Sequence, residues 1–201
     1  VAQINKAKLL LKRGYPVDNL AMNTGLLSIL KDGSRYGNIF PYTPTINVNG
    51  AAIYGQQAFA HTNYPANIYE SSMPAKFGIG WTLTAQTTEE ADYMLACMHW
   101  WRCLTKGHFG ANDPYAGTPP PVLEFYAYGT YQFEAVPVVV TSYTYDLNDQ
   151  TDYVNTSFNT QVPAVLSGFL DLQVQITPSK TREQFTLKGI ADGSLLGKGF
   201  I

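Results

Sequence analysis

The chain has 201 residues with 13 Lys and Arg against 15 Asp and Glu, a net charge of −2. Charged residues make up 14%, well below the ~25% of ordinary soluble domains. This balance argues against a general nucleic-acid binder, which needs a basic patch, and no run of about eighteen apolar residues reads as a membrane span.

Low charge beside 45% hydrophobic residues, 14 Tyr and 17 Gly points to a β-rich chain with much of its surface turned towards protein. The length suits one domain, or one domain with an extension. No secretion-leader pattern is visible.

Residues 1–39 read as an N-terminal arm, distinct from a β domain over residues 40–201. The arm carries Lys6, Lys8, Lys12, Arg13, Lys31 and Arg35 against Asp18 and Asp32, punctuated by Gly14, Pro16, Gly25, Gly33 and Gly37. A short helix is expected near residues 3–12, followed by loop. The arm is either a partly ordered solvated segment or one that orders on a neighbouring subunit.

From Phe40 the pattern turns to β. Tyr42–Tyr54 reads as strand with a hairpin turn at Asn49-Gly50. In the next strand Phe77, Ile79, Trp81, Leu83 and Ala85 occupy one side, and Gly78, Gly80, Thr82, Thr84 and Gln86 the other. Such alternation means one buried face and one polar face of small residues, and the two glycines leave room for another backbone.

A helix is predicted over residues 88–106. Thr87 and Glu90 have capping-box spacing, Glu89, Glu90 and Asp92 sit in the first turn, and Arg102 and Lys106 sit in the last. Ala91, Met94, Leu95, Met98, Trp101 and Leu104 form its apolar stripe, with Gly107 placed to cap it. On this helix Cys97 and Cys103 lie ~9 Å apart along the axis and on different faces, which predicts free thiols and a reducing compartment.

Gly117-Thr118-Pro119-Pro120-Pro121 is a stiff extended segment, read as a rigid surface loop. Val122–Tyr128 and Tyr131–Val140 read as strands joined at Gly129-Thr130, the second continuing to Asp146 with a bend at Pro137. Leu170, Leu172, Val174 and Ile176 alternate with Asp171, Gln173 and Gln175 in a last long strand. The Gly-rich tail, residues 182–201, ends in Phe200-Ile201, an apolar pair that needs a dock on its own subunit or a neighbour. The β content with a single flanking helix predicts a β-barrel or sandwich.

Few residues suggest chemistry. His99 reads as structural, His108 as helix-end electrostatics, and His61 as a loop residue with no nucleophile motif beside it. Two cysteines and three histidines give no metal-ligand spacing. Glu124 and Glu134 fall roughly opposite each other across the predicted hairpin, the one arrangement that resembles a glycosidase pair. Asp146, Asp149 and Asp152 lack the glycine and terminal glutamate of a calcium loop and read as a solvated turn. No catalytic residue, cofactor site or metal site is assigned. Between Lys106 and Lys180 the chain holds no Lys or Arg, whereas it holds Asp113, Glu124, Glu134, Asp146, Asp149, Asp152 and Asp171. The run is either chance among polar loops and strand faces or a surface that lets a nucleic-acid duplex slide past without gripping it.

The order of segments resembles phage proteins of the tail-tube group, particularly baseplate proteins that initiate or extend the tube of contractile tails. The matching pieces are Phe40-Pro41-Tyr42-Thr43-Pro44, His61-Thr62-Asn63-Tyr64, Thr84-Ala85-Gln86-Thr87-Thr88-Glu89-Glu90-Ala91, Gly117-Thr118-Pro119-Pro120-Pro121-Val122, Val136-Pro137-Val138-Val139-Val140 and Gly193-Ser194-Leu195-Leu196-Gly197-Lys198-Gly199-Phe200-Ile201. The resemblance spans about residues 40–201. It implies a tail-tube-like fold and a six-fold ring of self-associated subunits whose strands join into a lumen wall. It also implies neighbouring baseplate hub and tail tube proteins as partners, DNA passing without specific binding, no membrane, and a place in the virion after assembly in the host cytoplasm. On that reading the lumen candidates are Thr82, Thr84, Gln86, Asp171, Gln173 and Gln175. The alternatives are a main tail tube subunit or a carbohydrate-binding β-sandwich, the latter motivated by the many tyrosines and three tryptophans.

Overall fold

The computed structural model describes residues 6–201. The chain is mainly β. Its principal sheet has eight strands: β1 (Lys8–Leu11), β2 (Lys31–Asp32), β3 (Arg35–Ile39), β4 (Thr45–Asn49), β7 (Lys76–Thr84), β8 (Leu123–Ala127), β9 (Phe133–Tyr145) and β12 (Val165–Val174). Their order is β2-β3-β1-β8-β9-β12-β7-β4, with every neighbouring pair antiparallel. Two small ribbons complete the strands: β5 (Ala52–Gln57) with β6 (Ala66–Ser72), and β10 (Tyr153–Asn155) with β11 (Gln161–Pro163).

The expected barrel or sandwich is refined to an open sheet. The edge strands β2 and β4 do not pair, and a helix takes the place of a second sheet. Half-buried alternation is the same in an open sheet and a closed one, so sequence periodicity could not separate them.

The helix is α1 (Thr88–Leu104), started by the predicted capping box: the Glu90 N–H donates to Thr87 Oγ1 and the Thr87 N–H to Glu90 Oε2. It ends at Thr105, not at Gly107. A Cβ on Gly107 would press on the Thr118 carbonyl, so this glycine serves close packing instead of capping. Beyond the predicted stripe, Ala96, Cys97 and Trp100 are also buried. The reason is a second layer: a 3₁₀ turn at Leu26–Leu30 packs against α1, so the helix is wedged between that turn and the sheet. Trp81 of β7 meets Trp101 with ring centroids 4.2 Å apart, and Gly168 of β12 leaves room for the Trp81 ring. Burial of each such large side chain contributes up to about 3 kcal/mol.

The N-terminal segment corrects two expectations. Of the helix expected near residues 3–12, the first residues lie outside those described, and Lys8–Leu11 is strand. β1 pairs on both sides, with β3 and β8, and Leu9, Leu10 and Leu11 are all buried. A short continuous apolar run fits a buried strand as well as a helix, and pairing decides. Nor does this segment stand off as an arm, because Ala7, Leu9, Leu11, Met22, Leu30 and Tyr36 belong to the same core as β7, β12 and α1. Arg35 fastens it further. Its Nη2 donates to Leu11 O at 2.6 Å and to Glu124 Oε2 at 2.7 Å, and its Nη1 donates to the Tyr126 hydroxyl.

Asn49-Gly50 does not make the predicted hairpin. β4 spends its pairing side on β7, in the register Val48↔Phe77, and the chain leaves the sheet at Gly50 to enter the β5–β6 ribbon. At the other end, two short helices, α2 (Pro178–Gln184) and α3 (Leu187–Ala191), add to the single helix that the sequence predicts. Phe200 and Ile201 dock on their own subunit: Phe200 is buried and Ile201 packs on the core.

Candidate assembly surface

The six lumen candidates lie along β7 and β12 on the side away from α1, or just past the strand ends. Burial alternates as the sequence predicts: Phe77, Ile79, Trp81, Leu83, Leu166, Leu170, Leu172 and Val174 turn inward. Because β7 and β12 run antiparallel, the candidates form two groups at opposite ends. Thr82 and Thr84 stand opposite Ser167 and Val165, whereas Asp171 and Gln173 stand opposite Gly78 and Lys76. Gln86 follows β7 and Gln175 follows β12, both exposed.

Hydrogen bonds tie this face together. Thr82 Oγ1 and Ser167 Oγ are 3.2 Å apart, the Tyr42 hydroxyl reaches Thr84 Oγ1 at 2.9 Å, and Ser142 Oγ donates to Asp171 Oδ2. Phe169 lies between the groups. Its ring covers Gly78, where any side chain would collide with it, so a side chain fills the room that the sequence suggested for a backbone. The trough at the Asp171 end has a volume of about 780 Å³ and is lined by Asn47, Asn49, Lys76, Phe169, Asp171 and Gln173, among others.

Beside this face is a feature that the sequence reading missed. β4 is the sheet edge, with the sequence Thr-Ile-Asn-Val-Asn, no charge and no proline. Natural edges are usually blunted by one of these, so β4 is an unprotected template for strand addition. It leads into the β5–β6 ribbon, in which no residue is buried. Tyr54, Phe59, Tyr64, Ile68 and Tyr69 are all more than half exposed there, Tyr64 to 88%. A signal for it existed: between Arg35 and Lys76 the chain holds no Lys or Arg and one acid, Glu70.

The residues weighed for chemistry are dispersed. Glu124 stands opposite Pro137, not Glu134, because a bulge between Phe125 and Ala127 and the positive φ of Ala135 shift the register. Glu124 is instead engaged by Arg35 and by the Tyr126 hydroxyl at 2.8 Å, and burial pushes that phenol's pKa up. The expected cross-strand carboxylate pair is therefore absent.

His61 sits at the ribbon tip. His99 is exposed on α1, its pKa lowered by partial burial and then by Arg102. His108 bonds Asp113 at 3.0 Å within the loop after α1, and Asp113 is held below the usual carboxylate range by the Tyr115 N–H and then by His108. Asp146, Asp149 and Asp152 form a turn in which Asn148 Oδ1 accepts from the Gln150 N–H. Among the described residues no group of three metal-ligating side chains converges. Cys97 and Cys103 are free thiols, and burial pushes Cys97 up to about 12.

Among known proteins, no family model matches the chain, and no curated sequence matches it.

Proposed function

We propose that this chain is a structural subunit that closes into a ring with copies of itself, as a tail-tube-like protein of a phage baseplate. The observation that carries the reading is the uncharged, open β4 edge running directly into a ribbon of exposed aromatic residues. Strand addition at β4 would satisfy its free backbone groups, and burial of the ribbon's Tyr54, Ile68 and Tyr69 would add apolar area. Repeating one such contact about a rotation axis makes a ring. The polar face carrying Thr82, Thr84, Asp171 and Gln173 would line the channel. Six copies, contacts with hub and tube proteins, passage of DNA and the virion location all follow from the resemblance.

The test is electron microscopy and analytical ultracentrifugation of the purified chain, alone and with baseplate partners. Rings from the native chain that are lost in Val48→Lys support the reading. A monomer at high concentration, with or without partners, refutes it. Carbohydrate binding is the second reading, motivated by the same exposed tyrosines. Tyr54 and Tyr69 meet edge to face, at 74°, which makes a poor flat platform for a sugar ring. Whether the ring is a single adaptor layer or a repeated tube layer is read from copy number per virion.

A further inference from the structure

We propose that Asn49 is a spontaneous deamidation site, at which the Gly50 backbone nitrogen closes on the Asn49 side chain and leaves an aspartyl or isoaspartyl residue at the hinge between sheet edge and ribbon. No other asparagine in the chain is followed by glycine. Ring closure requires the next residue's amide nitrogen to reach the asparagine Cγ, and a following side chain obstructs that approach. Gly50 has none, and a Cβ built there would meet nothing within 4 Å.

Both reacting groups are exposed and unengaged. Neither the Asn49 amide nor the Gly50 N–H makes a hydrogen bond among the described residues, and Gly50 lies just past the last ladder residue of β4. Two other asparagines are restrained: Asn38 is wholly buried, and Asn148 accepts from the Gln150 N–H.

The chemistry balances without an oxidant or reductant. The Gly50 nitrogen gives its proton to solvent base and attacks Asn49 Cγ. The Cγ–Nδ2 bond breaks and ammonia leaves, closing a five-membered succinimide. Water then adds to either ring carbonyl. Opening at the Cγ–N bond restores the main chain with Asp at position 49. Opening at the other C–N bond routes the main chain through the side chain and gives isoaspartate. Either product gains one negative charge for a neutral amide.

The location gives the reaction a consequence. Asn49 is the register partner of Lys76, and both line the trough on the open face, so a carboxylate appears opposite an ammonium. Isoaspartate also lengthens the main chain by one atom just before Gly50, which leads into Ala51. The Ala51 carbonyl accepts from the Met73 N–H at 2.8 Å, a bond that spans the base of the ribbon. The extra atom loosens how the ribbon is aimed from the sheet.

The experiment ages the intact native chain in warm, mildly alkaline buffer and follows peptide masses and isoaspartate by enzymatic methyl labelling. The expected result is that the peptide holding Asn49 converts ahead of every other asparagine-containing peptide, giving both products. Gly50→Ala, which fits in open space, is expected to slow it roughly tenfold or more. Conversion elsewhere first, or an unchanged rate in Gly50→Ala, overturns the proposal. The readout is mass, so it is independent of whether the chain assembles.

Discussion

The sheet body and the β5–β6 ribbon are built from similar β-forming residues and differ in what covers them. In the body, α1 and the N-terminal 3₁₀ turn seal the inner face, and Trp81, Trp100 and Trp101 are almost wholly buried. The ribbon has the same antiparallel pairing, but nothing among the described residues buries it. A lone two-stranded ribbon is marginally stable in water. On the proposed reading, these more than twenty consecutive residues, 52–73, serve a contact with a partner and not the fold of the subunit itself. The contrast teaches that the core holding the fold and the surface proposed for assembly are different parts of this chain, so substitutions should separate them.

The largest expected effect lies in the body. Trp101→Ala should cost about 3–5 kcal/mol by denaturant titration. A loss below about 1 kcal/mol would mean that the helix–sheet core is not what holds the fold. Arg35→Ala should cost about 2 kcal/mol, since it strands Glu124 and unties Leu11 O and the Tyr126 hydroxyl at a site that is mostly but not wholly buried.

Another effect of the body appears only in alkali. Burial raises Cys97 from 9.0 to about 12, so in the folded chain the thiol keeps its proton while the unfolded chain loses it. This contribution is complete below pH 9 and declines as pH rises from 9 towards 12, by at most ~1.4 kcal/mol per pH unit. Cys97→Ala should flatten that slope in melts taken at stepped pH, and the Tyr93 phenol, also raised by burial, should account for a residual slope. The smallest stability change belongs to the ribbon. Tyr54→Ala with Tyr69→Ala should shift the monomer by no more than ~0.5–1 kcal/mol while abolishing rings in the microscope. A large loss of monomer stability would erase the distinction between the two regions.

What the sequence made legible follows the same division. The inward faces of β7 and β12 and the capping box of α1 were readable because one periodicity and one local motif determine them. Lys8–Leu11 was misread because four residues carry no period, and the choice between helix and strand rests with β3 and β8, far away in sequence. The Asn49-Gly50 turn was misread because the dipeptide signals a turn without saying which strands it joins. Glu124 and Glu134 were misaligned by a bulge centred on Ala135, whose left-handed backbone no local residue pattern announces. The ribbon's exposure was missed because strand-forming residues say nothing of what covers them, whereas its one-charge composition was the signal that sets it apart.

The position of β1 bears on how the chain is made. Among the described strands of the sheet it leaves the ribosome ahead of the others, yet it sits between β3 and β8, and its register with β8 joins Lys8 to Tyr126. At ordinary rates of synthesis the intervening residues take on the order of ten seconds to emerge. Throughout that interval Leu9, Leu10 and Leu11 have at most the β3 side to pair with. The nascent chain therefore carries a sticky leucine strand through much of its translation, and slowing synthesis before Leu123 should raise its demand for chaperones.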